Sequence, residues 1–430
     1  MNSMGKWVAA VAAVVLVTGC KFGASAFHCD TDHTCGAGGT CEASGLCSFP
    51  DGSCGPGGQR YGDLSGDLSG TCVPGNQPPA DAGIDTPIVP PVDALACYGT
   101  GIVKVCFASA PTQPLTIGDQ TLDTGVPAMC AITVTGGNNY CVVVATTISI
   151  TGTLRATGTK PLVLIGSDTI SITGSGSIDA ASHRQRPPGT PETGAGADAN
   201  ATTCVAGTAA TNRGGGAGGS FTGIGGTGGA GASANAGTPG LVAPPPITTL
   251  RGGCPGQDGQ GTTGSGGHGG GAVYLIAGTR IDIAGNGINA GGEGGGGGAA
   301  GPAGGGGGGG GAGGMIGLDA PMVMLTGSAT LIANGGGGAE GGSGAAAVAG
   351  ANGSDSITTA AAAGGKGLTG SGGDGANGSA GPAAGAGLPG GAGSNAAGMN
   401  GGGGGGGGGA GIIKAPAGTN FGGKASPAAT

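Results

Sequence analysis

Apolar and polar residues alternate along short stretches of this chain, and one alternation recurs. "TISITG" stands at Thr147–Gly152 and again at Thr169–Gly174, 22 residues on. "RIDIAG" from Arg280 and "MVMLTG" from Met322 repeat the form: apolar, any, apolar, Thr or Ala, Gly. Period two puts Ile148/Ile150, Ile170/Ile172, Ile281/Ile283 and Val323/Leu325 on one face of a strand. Ser149, Ser171 and Asp282 then point outward. A second apolar strand precedes each motif: "CVVVA", "PLVLIG", "VYLIAG" and "MIGLDA". A fifth, "GIIKAPA" at Gly411, lacks the follower. A third short piece comes after most of them: "GSIDA", "GINA" and "TLIAN".

Two or three short strands per turn of about 22 residues is the period of a parallel β-helix, in which stacked coils bury one row from each strand. The expected fold is all-β: a right-handed parallel β-helix with glycine-rich insertions, preceded by a small disulfide-rich module. A β-sandwich of antiparallel hairpins competes, but one pattern in one order favours the solenoid.

Between the strands lie glycine blocks, at about 181–271, 291–314 and 335–410. Each leaves after a third strand and returns before the next coil, so all three are expected at one corner. Glycine accounts for 115 of 430 residues, with 3% aromatic and 8% charged. That is far below the roughly 25% charge of ordinary globular chains, which argues against one large conventional core. "GGGGGGGGAGG", Gly304–Gly314, sharpens the question. Ordering backbone costs about 1–2 kcal/mol per residue, and glycine brings no side chain to offset it. Two readings stand. Extended glycine strands can pack side by side and bond backbone to backbone. Alternatively, the blocks are flexible loops. Gly372, Gly375, Gly378 and Gly381 keep a collagen-like period of three, but Ala384 breaks it and proline is scarce.

Thirteen cysteines leave one odd. If Cys20 is set aside, the others fall into even groups. Cys29, Cys35, Cys41, Cys47, Cys54 and Cys72 form a six, Cys97, Cys106, Cys130 and Cys141 a four, and Cys204 and Cys254 a pair. Parity and a small, core-poor module point to disulfides, with the connectivity within the six open. The spacings lack the close pairs of structural zinc sites, and His28 and His33 read as surface. Asp30, Asp32 and Asp51 read as turn aspartates, because no EF-hand order of ligands is present. "PGNQPPADAGIDTPIVPPVDA", Pro74–Ala94, reads as a semi-rigid linker.

The N-terminus combines Lys6, the apolar run Val8–Val17 and "TGC". That is the pattern of a secretory signal peptide, with a run too short to span a bilayer. "LVTGC" resembles a bacterial lipobox. The resemblance implies that Leu16–Gly19 are the recognition residues, with Val17 where leucine is commoner, and that Cys20 carries the lipid. Acyl chains on Cys20 would make the membrane a partner. Lys21, rather than aspartate, points to the outer membrane or cell surface of a Gram-negative bacterium. The expected divisions are a signal peptide at 1–19, a lipid-anchored disulfide-rich module at 20–73, a Pro-rich linker at 74–96, a cysteine-containing N-terminal cap at 97–141 and the glycine-rich β-helix at 142–430.

The cysteine-rich stretch from Cys29 to Cys72 resembles short modules with a C-x-x-D-x-x-C start, found in predicted myxobacterial lipoproteins. From Cys97 onward, the "TISITG" repeats between glycine blocks resemble predicted glycine-rich β-helical surface lipoproteins of myxobacteria. On architecture alone they resemble the pectin-lyase-like fold. The first resemblance implies an interaction or spacer module; neither implies a defined activity.

No catalytic constellation stands out. Asp168, Asp179, Asp282 and Asp319 come one per coil, which allows a carboxylate row, although turn and strand-edge roles fit them better. Arg155 and Arg280 are single basic residues without an evident partner. His183 and His268 lie in insertions and read as surface. No cofactor or metal is expected. The formal charge of −8 argues against nucleic acid. The expected function is a non-enzymatic, lipid-anchored cell-surface structural or adhesive protein, with surface polysaccharide or other cells as partners. The alternative is a polysaccharide-binding or polysaccharide-degrading β-helix.

Overall fold

A computed structural model describes residues 28–30, 35–55, 58–73, 96–130, 140–186, 190–198, 203–231, 235–261, 264–344, 348–367, 371–380, 394–396 and 400–430. The signal segment, Cys20, Asp32, His33 and linker residues 74–95 lie outside them. Among the described residues there is no α-helix, and no helix is long and apolar enough to cross a membrane. The chain divides into two units, Met1–Pro90 and Pro91–Thr430, with the break inside the expected linker.

The first unit is a small antiparallel sheet of Thr40–Cys41, Cys47–Pro50 and Gln59–Tyr61. Disulfides Cys29–Cys41, Cys35–Cys47 and Cys54–Cys72 hold it. Asp51 caps the short turn Gly52–Cys54, accepting from the Ser53 N–H at 2.8 Å.

The second unit stacks successive passes of the chain in parallel. Its two large sheets hold eight and six strands. Three stacked faces emerge from the register. The first face contains residues 141–145 and 162–166, then Ala272–Ala277, Met315–Asp319 and Ile412–Lys414. The second contains Leu115–Ile117, residues 147–150 and 169–172, then Arg280–Ile283 and Met322–Leu325. The third runs through Gln120–Asp123, Thr153–Thr157, Ser177–Asp179, Gly287–Asn289, Thr330–Ile332 and Ala425–Ser426. Cys141–Ile150 and Leu162–Ile172 are long because each turns from the first face into the second, with a register shift after Gly166. Among the described strands, antiparallel pairing is confined to short hairpins and the small unit.

The recurring apolar pairs meet in the interior. Ile148, Ile150, Ile170, Ile172, Ile281 and Ile283 are all buried there. Ser149, Ser171 and Asp282 share one register position on the second face and are half-buried. The first face is buried on both sides, which explains its continuous apolar runs. Its outer residues Val163, Ile165, Tyr274 and Ile276 form a second apolar cluster with Val103, Val105 and Phe107. Those three come from the hairpin of Ala96–Tyr98 and Val105–Phe107, closed by Cys97–Cys106. Segment 97–141 therefore does two things. Its hairpin covers the outside of the first face, and its strands at 115–117 and 120–123 form the first layer of the stack. Cys130–Cys141 ties that layer to the next strand.

All three glycine blocks leave after a third-face strand and return to the first face. They are ordered where described, and the run 304–314 shows how. The N–H groups of Gly307, Gly310 and Gly313 donate to Gly403, Gly406 and Gly409. Those of Gly306, Gly309 and Ala312 donate to Gln260, Gln257 and Cys254, and those of Gly308, Gly311 and Gly314 to Gly296, Glu293 and Ala290. These nine bonds measure 2.8–3.0 Å. Carbonyls of the same run accept from Gly216 and Gly219, from Gly267 and Gly270, and from Gly336, Ala339 and Gly342. A partner that recurs every third residue means three residues per turn, the polyproline II geometry, which has no internal hydrogen bonds. Six neighbouring segments thus surround one central glycine helix. Side chains are excluded because the backbones touch. A Cβ at Gly306, Gly307, Gly308, Gly309, Gly310 or Gly311 would lie 1.9–2.2 Å from a neighbour's carbonyl oxygen. The reading of this run as a flexible loop is overturned: each N–H from Gly304 to Gly314 is bonded to a backbone carbonyl of another segment.

Candidate functional site

The ionisable side chains gather where the third face meets the glycine bundle. Arg155 sits on Thr153–Thr157 and is only 2% exposed. Register places it beside Asp179. Its Nη1 lies 3.1 Å from Asp179 Oδ1 and also donates to the Ala181 carbonyl at 2.6 Å; its Nε lies 3.0 Å from Glu192 Oε2. Asp179 also meets His183 Nε2 at 3.1 Å, and His183 Nδ1 lies 3.6 Å from Asp355. Asp355 accepts the N–H groups of Arg184 and Gly294 at 3.1 and 2.9 Å. The Arg184 guanidinium stands 2.9 Å from Glu293 Oε1 and donates to Ser265 Oγ at 2.9 Å. Glu293 Oε2 accepts the His268 N–H at 3.1 Å, and His268 Nδ1 pairs with Asp198.

With both histidines protonated, Glu192, Arg155, Asp179, His183, Asp355, Arg184, Glu293, His268 and Asp198 alternate in sign, the Asp355–Arg184 and Glu293–His268 links running through backbone N–H groups. The alternation makes the burial tolerable, since each charge finds an opposite neighbour. Burial would lower the His183 pKa, but the hydrogen bonds with Asp179 and Asp355 overcome it and lift the group to about 9. The Asp198 hydrogen bond raises His268. Burial raises Glu293, whose Oε1 faces Arg184 without an aligned hydrogen bond.

Several sequence expectations change here. Arg155 has two acidic partners, and Arg280 pairs with Asp282 at 2.8 Å. His183 is buried rather than on the surface, and His268 is an ion-paired link to the bundle. The four coil aspartates do not form a row. Asp179 aligns with Arg155 and Asn289, Asp282 with Ser171 and Met324, and Asp319 with Ile276. Asp168 holds the Thr279 hydroxyl at 2.8 Å, a turn role. Glu192, Arg184, Asp198, Glu293 and Asp355 had escaped notice. Their signal was available: a charge inside a glycine block needs a partner to justify its place.

In the small unit, His28 is exposed. Asp51 pairs with Arg60 at 2.6 Å, and hydrogen bonds from Ser53 hold its carboxyl down at about 2. The sulfurs of Cys29, Cys35 and Cys41 approach one another within 4.8 Å, as members of two adjacent disulfides. Cys204–Cys254 closes the first glycine block, beside Arg251 and Phe221. Arg251 lies 4.2 Å from the Phe221 ring centroid, and burial lowers its pKa to about 10. The geometry of the charged chain is that of a clamp between sheet and bundle. No family model, curated protein or solved structure matches this chain.

Proposed function

We propose that this protein is a non-enzymatic, lipid-anchored structural or adhesive component of a bacterial outer membrane or cell surface. In this reading Cys20 carries the lipid, the disulfide unit and proline-rich linker form a stalk, and the stacked faces are a right-handed parallel β-helix. The resemblance to surface lipoproteins of myxobacterial type belongs to the same reading. The observation that carries it is the glycine bundle. Its order comes mainly from backbone hydrogen bonds, so it builds a body with few exposed sites for a protease that reads charged or aromatic side chains. Six disulfides in the described residues suit an oxidising, exported setting. The separated coil aspartates lend no support to polysaccharide cleavage.

The test is a Cys20→Ala variant followed by cell fractionation. The native protein is expected in the membrane fraction and the variant in the soluble fraction; identical fractionation would sink the anchor. Loss of the whole protein is expected to weaken cell cohesion or attachment while growth on polysaccharides is unchanged. The reverse outcome would favour carbohydrate processing.

A further inference from the structure

A cavity of about 590 Å³ lies outside the first face. Ile276 and Lys414 line its floor, the turn Tyr98–Ile102 forms one wall, and Pro321 and Pro416 form another. The turn is seated by Asp319. That carboxylate accepts the Thr100 N–H and hydroxyl at 2.7 Å each and the Gly101 N–H at 2.9 Å. Beneath, the Tyr274 ring lies across Gly317, where a Cβ would approach it to 2.0 Å. Gly317 is the register partner of both Tyr274 and Lys414, so these three form one row across the floor.

The lining is mostly apolar, and its charges are unequal in their commitments. Asp319 spends both oxygens on the turn. The Thr430 oxygen accepts the Ala415 N–H at 3.2 Å. The Lys414 ammonium makes no ion pair or hydrogen bond with the described residues. A half-buried apolar chamber with one uncommitted cation selects an apolar body bearing one negative group. Chambers of roughly 300–1,000 Å³ bury most of a small ligand's surface.

We propose that this cavity binds a small amphipathic carboxylate, with the anion at Lys414 and the hydrocarbon against Ile276 and the Tyr98 turn. The inference stands apart from the surface-scaffold reading and survives its failure. Titration calorimetry on the whole chain with octanoate, and with 1-octanol as its uncharged counterpart, tests it. Octanoate is expected to bind saturably at one per chain and at least tenfold tighter than octanol. Lys414→Gln should remove that preference and leave octanol binding unchanged, Lys414→Arg should retain it, and Tyr98→Ala should weaken both ligands. Thermal melts check that each variant is folded. Absence of saturable octanoate binding below about 1 mM, or equal octanoate affinity in native protein and Lys414→Gln, overturns the proposal.

Discussion

A methyl group added at Gly309 would lie 2.0 Å from the Ala217 carbonyl oxygen, and neither backbone can retreat without breaking bonds to other neighbours. Gly309→Ala is therefore expected to destabilise the protein by about 3 kcal/mol or more. Gly301→Ala, whose nearest atom would be 3.9 Å away, should stay within about 0.5 kcal/mol. Paired denaturation curves check the contrast. Ala312 is tolerated inside the same run because its methyl joins the apolar cluster outside the first face. His183 supplies a pH test. Its folded pKa, about 9, lies above its ordinary value of 6.5. Its contribution is complete below pH 6.5 and is lost as pH rises through 9. The shift corresponds to about 3 kcal/mol. The melting temperature should fall between pH 7 and 10, and His183→Gln should flatten that fall.

Elements of the bundle have a phase of three. Deleting Gly309 alone turns the rest of the run by a third of a turn and faces each N–H to the wrong neighbour. Deleting residues 308–310 together keeps the phase. The three-residue deletion is expected to melt higher than the single deletion, a reversal of the usual effect of length. The disulfide Cys204–Cys254 closes a loop with a sequence separation of 50. In the chain-entropy account, replacing both by serine should cost about 4 kcal/mol. At this scale some of the fold was legible and some was not. The second face could be read because one side is solvated, so Ile148 and Ile150 alternate with polar residues. The hairpin over the first face could not, because a strand buried on both sides carries no alternation. Pairing within the bundle left no trace, since one glycine is chemically like the next. Gly375 and Gly378 did show a period of three. Collagen shares its cause: one crowded side of a three-residue turn, here against the carbonyls of Gly338 and Gly335. Arg155 looked partnerless because Asp179 and Glu192 lie 24 and 37 residues away.

For the whole molecule, sheet and bundle are joined by the chain of ion pairs and hydrogen bonds from Glu192 to Asp198 as well as by continuous chain. Arg155→Met removes the first buried cation and leaves Asp179 and Glu192 facing each other. A loss of about 3–5 kcal/mol is expected, and mapped elastase cleavage should then appear in the glycine blocks. In the native protein, residues 291–298 and 304–314 should resist elastase as long as the strands do. Early cuts there would contradict an ordered bundle.

The central glycine helix draws its six neighbours from all three insertions, between Gly214 and Gly409. No shorter stretch of chain can assemble it. As the polypeptide emerges, residues 304–314 have no complete lattice until 402–409 arrive, about a hundred residues later. Local helix or hairpin formation cannot nucleate such an object; loop closure over about a hundred residues must come first, and that makes assembly slow. The strand stack can form layer by layer as it appears, so it serves as the template. The glycine bundle then closes last and at once, in the manner of an arch that stands only when its final stone is set.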